Sequence, residues 1–342
     1  MSRFLDAIRE AAGDRREAAG ARPGPIVDPR PPDRGNDTRP YQVLTVTSNK
    51  GGVGKTTVAT NLAVYLRAMQ EDLPILILGF DEQPSIDRMF ALAPDASDQT
   101  MTSAMRRGDL ASAVQLGQYG IHFVPTGPDI FELKGEIGNP FHLRTLLDRI
   151  GWHGLVIIDT KSDLEVLTQN AIEASDLALV LVTDHASLVE AQKVFNFLDE
   201  LERPWDRARI LISLVDLRVK YRQGEKQDIL ALLVAEIRRR RYPLFESFLS
   251  RSPKIETLHT NPEQRLLSIL HGARSSIVHK QMYHLAHEVS TELERIAQPV
   301  PSSRTPGQRS EESRTKIDPT PWLWHDIGAP EAGPSSNASG SR

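Results

Sequence analysis

Apolar residues in the middle of the chain fall into short runs that alternate with segments of helical periodicity. Six of these runs, each five or six residues long, lie at 42–47, 74–79, 121–125, 155–159, 178–183 and 209–214. Runs that are apolar almost throughout are typical of a sheet covered on both faces. After the first run, Val58, Leu62, Leu66 and Met69 recur at the spacing of one helical face. The pattern predicts an α/β fold with a mostly parallel sheet flanked by helices on both faces.

The two ends of the chain differ in composition from its middle. Residues 20–40 contain six prolines, and residues 298–342 are rich in Pro, Ser, Gly and charged residues with few aliphatic side chains. Such segments bury too little apolar surface to offset the entropy lost when their backbone is ordered. We therefore predict a mostly disordered extension at 1–40, one large domain at 41–297 and a disordered tail at 298–342.

Each end also carries one short apolar cluster. Phe4, Leu5 and Ile8 would form a stripe on a short amphipathic helix. Isolated helices of this length are marginal in water, so the stripe is either a fraying turn or a docking peptide. Trp322 and Trp324 in the tail are either a docking motif or chance aromatics in an unstructured segment.

Composition and charge exclude several classes of protein. The chain has no cysteine, which excludes a disulfide scaffold, a thiolate zinc site, a cysteine-ligated iron–sulfur cluster and a cysteine nucleophile. No apolar run approaches the ~20 residues that span a bilayer, and residues 1–20 are charged where a signal peptide is apolar. We expect a cytoplasmic protein. Its formal charge of -4 requires that any nucleic-acid surface be a local patch.

The strongest chemical signal is a glycine-rich segment between the first predicted strand and the first predicted helix. Residues 48–57 read SNKGGVGKTT. Successive glycines let backbone N–H groups turn toward phosphate oxygens, and the start of the following helix adds its positive end. Lys55 supplies a cation, and the hydroxyl of Thr56 can ligate Mg²⁺. The expected nucleotide-binding residues are Lys50, Gly51, Gly52, Val53, Gly54, Lys55, Thr56 and Thr57.

At these residues the sequence resembles the ParA/MinD family of deviant-Walker ATPases, whose loop reads Lys-Gly-Gly-X-Gly-Lys-Thr/Ser. The resemblance extends over about residues 42–295 and is to the ParA-like branch. It implies ATP and Mg²⁺ as cofactors and a homodimer with two nucleotides held between the protomers. Lys50 would then reach the phosphates bound by the partner, while Lys55 serves the nucleotide of its own protomer.

Two acidic residues extend the resemblance. Asp81, in the segment ILGFDEQ, falls on the family residue that positions the attacking water, the alternative being a loop or cap carboxylate. Asp159 ends an apolar strand where the family has the aspartate of its Walker B motif, which holds the magnesium's water. The resemblance thus implies Lys50, Lys55 and Asp81 as catalytic residues, and Thr56 and Asp159 as metal residues.

The sequence departs from the family pattern beside these carboxylates. The second motif of the family is usually Asp-X-Asp-Pro-Gln, and Gly79 and Glu82 stand here for the first aspartate and the proline. The family's Walker B strand commonly continues with Pro-Pro or Pro-Ala, where this chain has Lys161 and Ser162. These departures bear on the hydrolysis rate, on loop geometry and on signalling to a partner.

Basic residues in the second half of the domain are candidates for DNA contact, since ParA-type proteins bind DNA without sequence preference as ATP dimers. Four consecutive arginines at 238–241 repel one another unless an anion or carboxylates compensate. The alternative is a solvated helix end favoured by the helix dipole. The candidates are Arg218, Lys220, Arg222, Arg238, Arg239, Arg240, Arg241, Arg251 and Lys254.

The resemblance implies a ParA-like ATPase that dimerises on ATP, binds DNA nonspecifically and is reset when a ParB-like or other cargo adaptor stimulates hydrolysis. Such a cycle would segregate or position a plasmid, a chromosome origin or a protein assembly, and the protein would be cytoplasmic and nucleoid-associated when ATP-bound. The alternative is a MinD-like regulatory ATPase that acts at the membrane or on an envelope machine without DNA. The proline-broken tail does not favour the membrane branch, whose members end in a basic amphipathic helix.

Overall fold

The fold is built on one eight-stranded sheet that is parallel except at one edge. A computed structural model of the chain describes residues 24–31, 39–92, 98–127, 129–216, 220–223, 225–258 and 266–298. The sheet strands are β1 Tyr41–Thr47, β2 Ile75–Gly79, β3 Gln115–Leu116, β4 His122–Phe123, β5 Gly154–Asp159, β6 Leu177–Val182, β7 Ala208–Val215 and β10 Leu244–Ser250. A separate antiparallel hairpin consists of β8 Lys220–Gln223 and β9 Glu225–Asp228.

Helices connect these strands. In chain order they are α1 Lys55–Met69, α2 Ser85–Phe90, α3 Met101–Arg107, α4 Leu133–Glu136, α5 His142–Arg149, α6 Val166–Ala174, α7 His185–Glu200, α8 Ile229–Arg239, α9 Pro253–Leu258, α10 Ile269–Gly272 and α11 Ile277–Ala297. Within the described residues, no helix is long and apolar enough to cross a membrane.

The strand order is β10-β7-β6-β1-β5-β2-β4-β3. β1 lies between β6 and β5, and β5 lies between β1 and β2, with Val46 opposite Asp159 and Gly79 opposite the same residue. In a parallel sheet the carboxyl ends of neighbouring strands meet at one edge, where ligands bind. The glycine-rich loop, Asp81, Asp159 and the residues after β6 therefore share that edge.

Helices cover both faces of the sheet. Alternate residues of each strand point to opposite sides, and apolar residues on each side pack against helices. Leu44 and Val46 of β1 face the cluster formed with α1, α10 and α11, whereas Val43 faces the cluster formed with α3 to α6. Leu62 of α1 is fully buried in the first cluster. The predicted fold class and the predicted apolar face of the first helix are confirmed.

Several elements were not predicted. β10 has the sequence LFESFLS, in which Glu246 and Ser247 interrupt the continuous apolar run used to find the other strands. β4 contains two residues, fewer than the predicted run 121–125, and β3 lies outside all six predicted runs. α1 begins at Lys55, three residues before Val58 of the predicted apolar face, because Gly54 caps the helix directly after the loop.

Part of the proline-rich extension lies against the domain. The N–H of Ile26 donates to the carbonyl of Glu136 at 2.7 Å, and its own carbonyl accepts from the N–H of Gly138 at 2.7 Å. The Asp28 carboxylate lies 2.6 Å from Nδ1 of buried His142. Residues 24–31, which we call the strap, thus have a defined place within the segment predicted to be mostly disordered. The apolar stripe at residues 4–8, the tail beyond 298 and its tryptophans lie outside the described residues.

Candidate functional site

The glycine-rich loop connects β1 to α1 at the carboxyl edge of the sheet. Gly52 and Gly54 have φ of 73° and 88°, a left-handed conformation that favours glycine. Gly54 is the N-cap of α1, and no side chain caps the first turn of this helix. The first N–H groups of α1 therefore face the loop without a side-chain acceptor from the cap residue, an arrangement suited to an anion.

Lys55 is a buried cation at the start of α1. The side chain is 6% exposed, and its Nζ donates to the hydroxyl of Ser162 at 2.5 Å. Burial lowers the pKa of Lys55, while the negative charges of Asp159, Asp81 and Asp163 act in the opposite direction. Three carboxylates thus lie near enough to this lysine to stabilise its charge.

Thr56 and Asp159 form a pair beside the loop. Asp159 is 1% exposed at the end of β5, and the Thr56 side chain lies close enough to its carboxylate to act on its pKa. Burial raises the pKa of Asp159 to about 7, against the stabilising effect of Thr56 and of the Lys55 charge. Its Oδ1 has no hydrogen-bond partner among the described residues.

This pair fits Mg²⁺. A buried carboxylate oxygen without a partner is costly, and a cation or its water would satisfy it. In the described parts of the chain, no group of three or more His, Cys, Asp or Glu side chains could hold a metal by itself. Mg²⁺ keeps waters and takes ligands from substrate phosphates, so one hydroxyl and one carboxylate beside a phosphate loop are a sufficient protein contribution.

Asp81 lies in the loop after β2. Its Oδ1 accepts a hydrogen bond from the N–H of Gln83 at 3.2 Å, and its charge acts on both Lys55 and Asp159. The next residue, Glu82, forms an ion pair of 2.7 Å with Lys161. A Cβ at Gly79 would stand 2.7 Å from the end of the Ile86 side chain, so the space of the missing family aspartate is filled by an apolar group.

Lys50 contacts a residue of its own protomer. Its Nζ forms a short ion pair with Asp184, the N-cap of α7, and the two side chains are 38% and 47% exposed. Burial acts to raise the pKa of Asp184, but hydrogen bonds from Lys50 and Ser187 lower this pKa below its usual value. The ion pair thus holds Lys50 of the phosphate loop against the carboxyl end of β6, the strand next to β1.

A groove of about 640 Å³ extends from the phosphate loop toward the segment after β10. This volume lies in the range of small-molecule sites. Leu214, with a left-handed φ of 53°, lies in the groove and its side chain approaches Gly54. The groove also contains Ser250, Arg251 and Ser252. A ligand whose phosphates occupy the loop would therefore have room for its remaining part along this groove.

The basic candidates separate into groups at different places. Arg239 and Arg240 both pair with Glu236, so one carboxylate is shared by half of the arginine run and offsets one of its four charges. This run precedes β10 at its amino end, whereas Arg251 and Lys254 follow its carboxyl end, roughly 20 Å away at 3.3 Å per residue.

Arg238 and Arg241 are exposed. Arg251 pairs with Glu256 at 2.8 Å, and Lys254 donates to Ser275 at 3.0 Å. Arg218 lies outside the described residues. Lys220 and Arg222 belong to the hairpin strand β8, and their side chains are outside the described part.

Four polar residues of the site were not singled out as functional from the sequence: Asp184, Ser162, Glu82 and Lys161. The pattern of Asp184 followed three residues later by Ser187 is a helix-start signal that was available in the sequence. The sequence marked the other three, Ser162, Glu82 and Lys161, as departures from the family pattern, but no contact was predicted for them.

Fold and loop together define a P-loop nucleotide-binding protein with a second lysine in its phosphate loop. A family model described as "AAA domain" matches residues 41–208. The chromosome partitioning protein ParA of Caulobacter vibrioides is 30% identical over 151 residues, which is 41% of this chain and 55% of that protein. The chain thus spans about half the length of this curated relative.

Two solved structures share the fold. A putative plasmid partition protein from Borrelia burgdorferi, bound to AMPPNP, is 16% identical with a TM-score of 0.55, covering 75% of this chain and 99% of that one. A chain of the MinC:MinD cell division protein complex of Aquifex aeolicus is matched at 15% identity with a TM-score of 0.58, covering 77% of this chain and 99% of that one. The chain is thus similar in sequence to a ParA protein and in fold to proteins of the ParA/MinD type.

Proposed function

We propose that this chain is a ParA-like positioning ATPase. It binds ATP with Mg²⁺, dimerises on the nucleotide, binds duplex DNA without sequence preference in that state, and is reset by hydrolysis. The observation that carries the proposal is the convergence of Lys55, Thr56, Asp159 and Asp81 on one glycine-rich loop. The nucleotide in the Borrelia partition protein supports an adenine nucleotide as the ligand.

The residues of the site divide the reaction among them. N–H groups of the loop and of the start of α1 would hold the phosphates, and Lys55 would exchange its contact with Ser162 for a phosphate oxygen. Mg²⁺ bound near Thr56 and Asp159 would supply positive charge to the phosphate oxygens. Asp81 would orient the attacking water, since it follows the strand next to β5 and its charge already reaches Lys55.

Dimerisation would depend on Lys50. Its ammonium would leave Asp184 and contact the phosphates bound by a second protomer. A cation that arrives only in the dimer stabilises the charge that spreads over the transferred phosphoryl group. Hydrolysis would therefore be slow in the monomer and faster in the dimer, where a cargo adaptor could act on it.

We propose Arg251 and Lys254 as the nucleotide-dependent DNA contact. Arg251 lies in the groove that begins at the phosphate loop, so ligand binding can change its pairing with Glu256. Residues 238–241 lie at the other edge of the sheet, and Glu236 already pairs with two of them and offsets one of their four charges. Their contribution to DNA binding would therefore be smaller and independent of nucleotide.

Fluorescence anisotropy of a generic labelled duplex tests the proposal. We expect binding with ATP and not with ADP, with log K falling against log salt by about 0.9 per phosphate contact. Replacing both Arg251 and Lys254 by alanine should reduce that slope and weaken all sequences alike, whereas Lys193→Ala, which removes an exposed cation from α7, should not. Absence of duplex binding at low salt, with ATP-dependent flotation on anionic vesicles, would replace the proposal by the MinD-like alternative.

A further inference from the structure

Glu82 and Lys161 connect the two loops that flank the carboxylates of the site. Glu82 follows β2 by three residues, and Lys161 follows β5 by two, while the ends of these strands, Gly79 and Asp159, lie opposite each other in the sheet. The register thus brings the two side chains together, and Nζ of Lys161 lies 2.7 Å from Oε1 of Glu82.

The two loops are not held equally. In the loop after β5, Ser162 accepts from Lys55, and Asp163 accepts from Lys134 of α4 at 3.0 Å and from the hydroxyl of Thr168 at 3.0 Å. Lys161 therefore belongs to a segment tied to the phosphate loop, to α4 and to α6.

The loop after β2 is held at its start by buried Phe80, whose N–H donates to the carbonyl of Asp159 at 2.9 Å, and beyond Asp81 it is tied by Glu82. Asp81 accepts a hydrogen bond from Gln83, which shapes a turn within the loop but does not fix the loop against the domain. Glu82 and Gln83 are exposed. The ion pair from Glu82 to Lys161 joins this loop to the anchored one, directly next to Asp81.

We propose that Glu82 and Lys161 are positioning residues for ATP hydrolysis, an inference that rests on the proposed function. Their ion pair holds the loop of Asp81 against the anchored loop after β5, so that the Asp81 carboxylate keeps the orientation in which it directs water to the nucleotide. The pair occupies two of the positions where the chain departs from the family pattern. The family pattern has a proline at each of these two positions, and here an ion pair restrains the two loops instead.

The pair is 46% and 37% exposed, so its effect is that of a solvent-screened contact. Glu82→Gln and Lys161→Gln should each lower kcat about two- to fivefold. The affinity for ATP should stay within a factor of about two, because neither residue belongs to the phosphate loop. Glu190→Gln and Lys193→Gln, which break a Lys–Glu pair of 2.7 Å on α7, are matched controls and should keep the wild-type kcat.

A double-mutant cycle separates a shared contact from two independent effects. If the pair acts as one unit, the Glu82→Gln/Lys161→Gln double variant should lose no more activity than the worse single variant. The charge-swapped variant Glu82→Lys/Lys161→Glu should recover at least half of the lost kcat. The kcat ratios are measured with full-length protein at saturating ATP. General destabilisation of the loops would add up in the double variant and would not be reversed by the charge swap, so it would not produce this pattern.

The outcomes distinguish this inference from the proposed function. ATP binding by calorimetry is measured first. Wild-type protein that binds and hydrolyses ATP, with both single variants at its kcat or with losses that multiply in the double variant, overturns the inference alone. Wild-type protein that does not bind ATP overturns the proposed function and the inference with it.

Discussion

The ion pair between Lys50 and Asp184 should restrain dimerisation, and Asp184→Asn measures this restraint. Asparagine caps a helix about as well as aspartate, so the variant removes the charge while retaining the cap of α7. If Lys50 serves the nucleotide of a second protomer, each protomer must break the pair on dimerisation. The variant should therefore form the ATP dimer more readily than the wild type.

The magnitude follows from the exposure of the pair. With side chains 38% and 47% exposed, one such contact contributes about 0.2–1 kcal/mol. Two pairs break per dimer, which corresponds to about 0.4–2 kcal/mol and a dimer dissociation constant about two- to thirtyfold lower. Salt weakens exposed ion pairs, so the dimer dissociation constants of variant and wild type should become more similar at high ionic strength.

Sedimentation velocity over a concentration series with AMPPNP and Mg²⁺ gives the dimer dissociation constant without hydrolysis. Glu190→Gln is the matched control, because it removes one negative charge from the same helix and its partner is Lys193. An unchanged or weaker dimer in Asp184→Asn would refute the restraint and would mean that Asp184 orients Lys50 for its contact.

Three further variants test other parts of the structure. Lys55→Ala should show no ATP binding by calorimetry, because the phosphates lose a buried cation; unchanged affinity would contradict the loop assignment. Asp81→Ala should still bind ATP and accumulate as a dimer while turnover falls about 100-fold, and normal turnover would transfer the role to another carboxylate. Gly138→Ala should lower the unfolding free energy by about 1 kcal/mol in thermal melts, because its Cβ would stand 3.3 Å from the carbonyl of Ile26 in the strap and so weaken the 2.7 Å hydrogen bond which that carbonyl accepts from the N–H of residue 138. Gly135→Ala, where the new Cβ meets nothing within 4 Å, is the control and should melt at or above the wild-type temperature because alanine favours helix α4; a Gly138→Ala variant that melts like the wild type would mean that the strap contributes no stability.

The sequence was informative where structure depends on neighbouring residues. The glycines and lysines of the phosphate loop lie within a few positions of one another, and the buried strands of a parallel sheet are apolar almost throughout. β10 was missed because its exposed Glu246 interrupts the run, although Phe245 and Phe248 are buried on either side.

The contacts that complete the site join residues far apart in the chain. Lys50 and Asp184 are 134 positions apart, and Glu82 and Lys161 are 79 apart. Each pair meets because two strands are neighbours in the sheet, β1 beside β6 and β2 beside β5. Strand order is a property of the whole chain, so local patterns could name these residues as unusual but could not pair them.

The mass of the wild-type protein in solution with each nucleotide tests the central proposal most directly. Light scattering during size-exclusion chromatography should give a monomer with ADP and Mg²⁺ and twice that mass with ATP and Mg²⁺. Lys50→Ala should bind ATP and remain a monomer under both conditions. A wild-type protein that stays monomeric when saturated with ATP, or a Lys50→Ala variant that dimerises as well as the wild type, would contradict a nucleotide site completed by a second protomer.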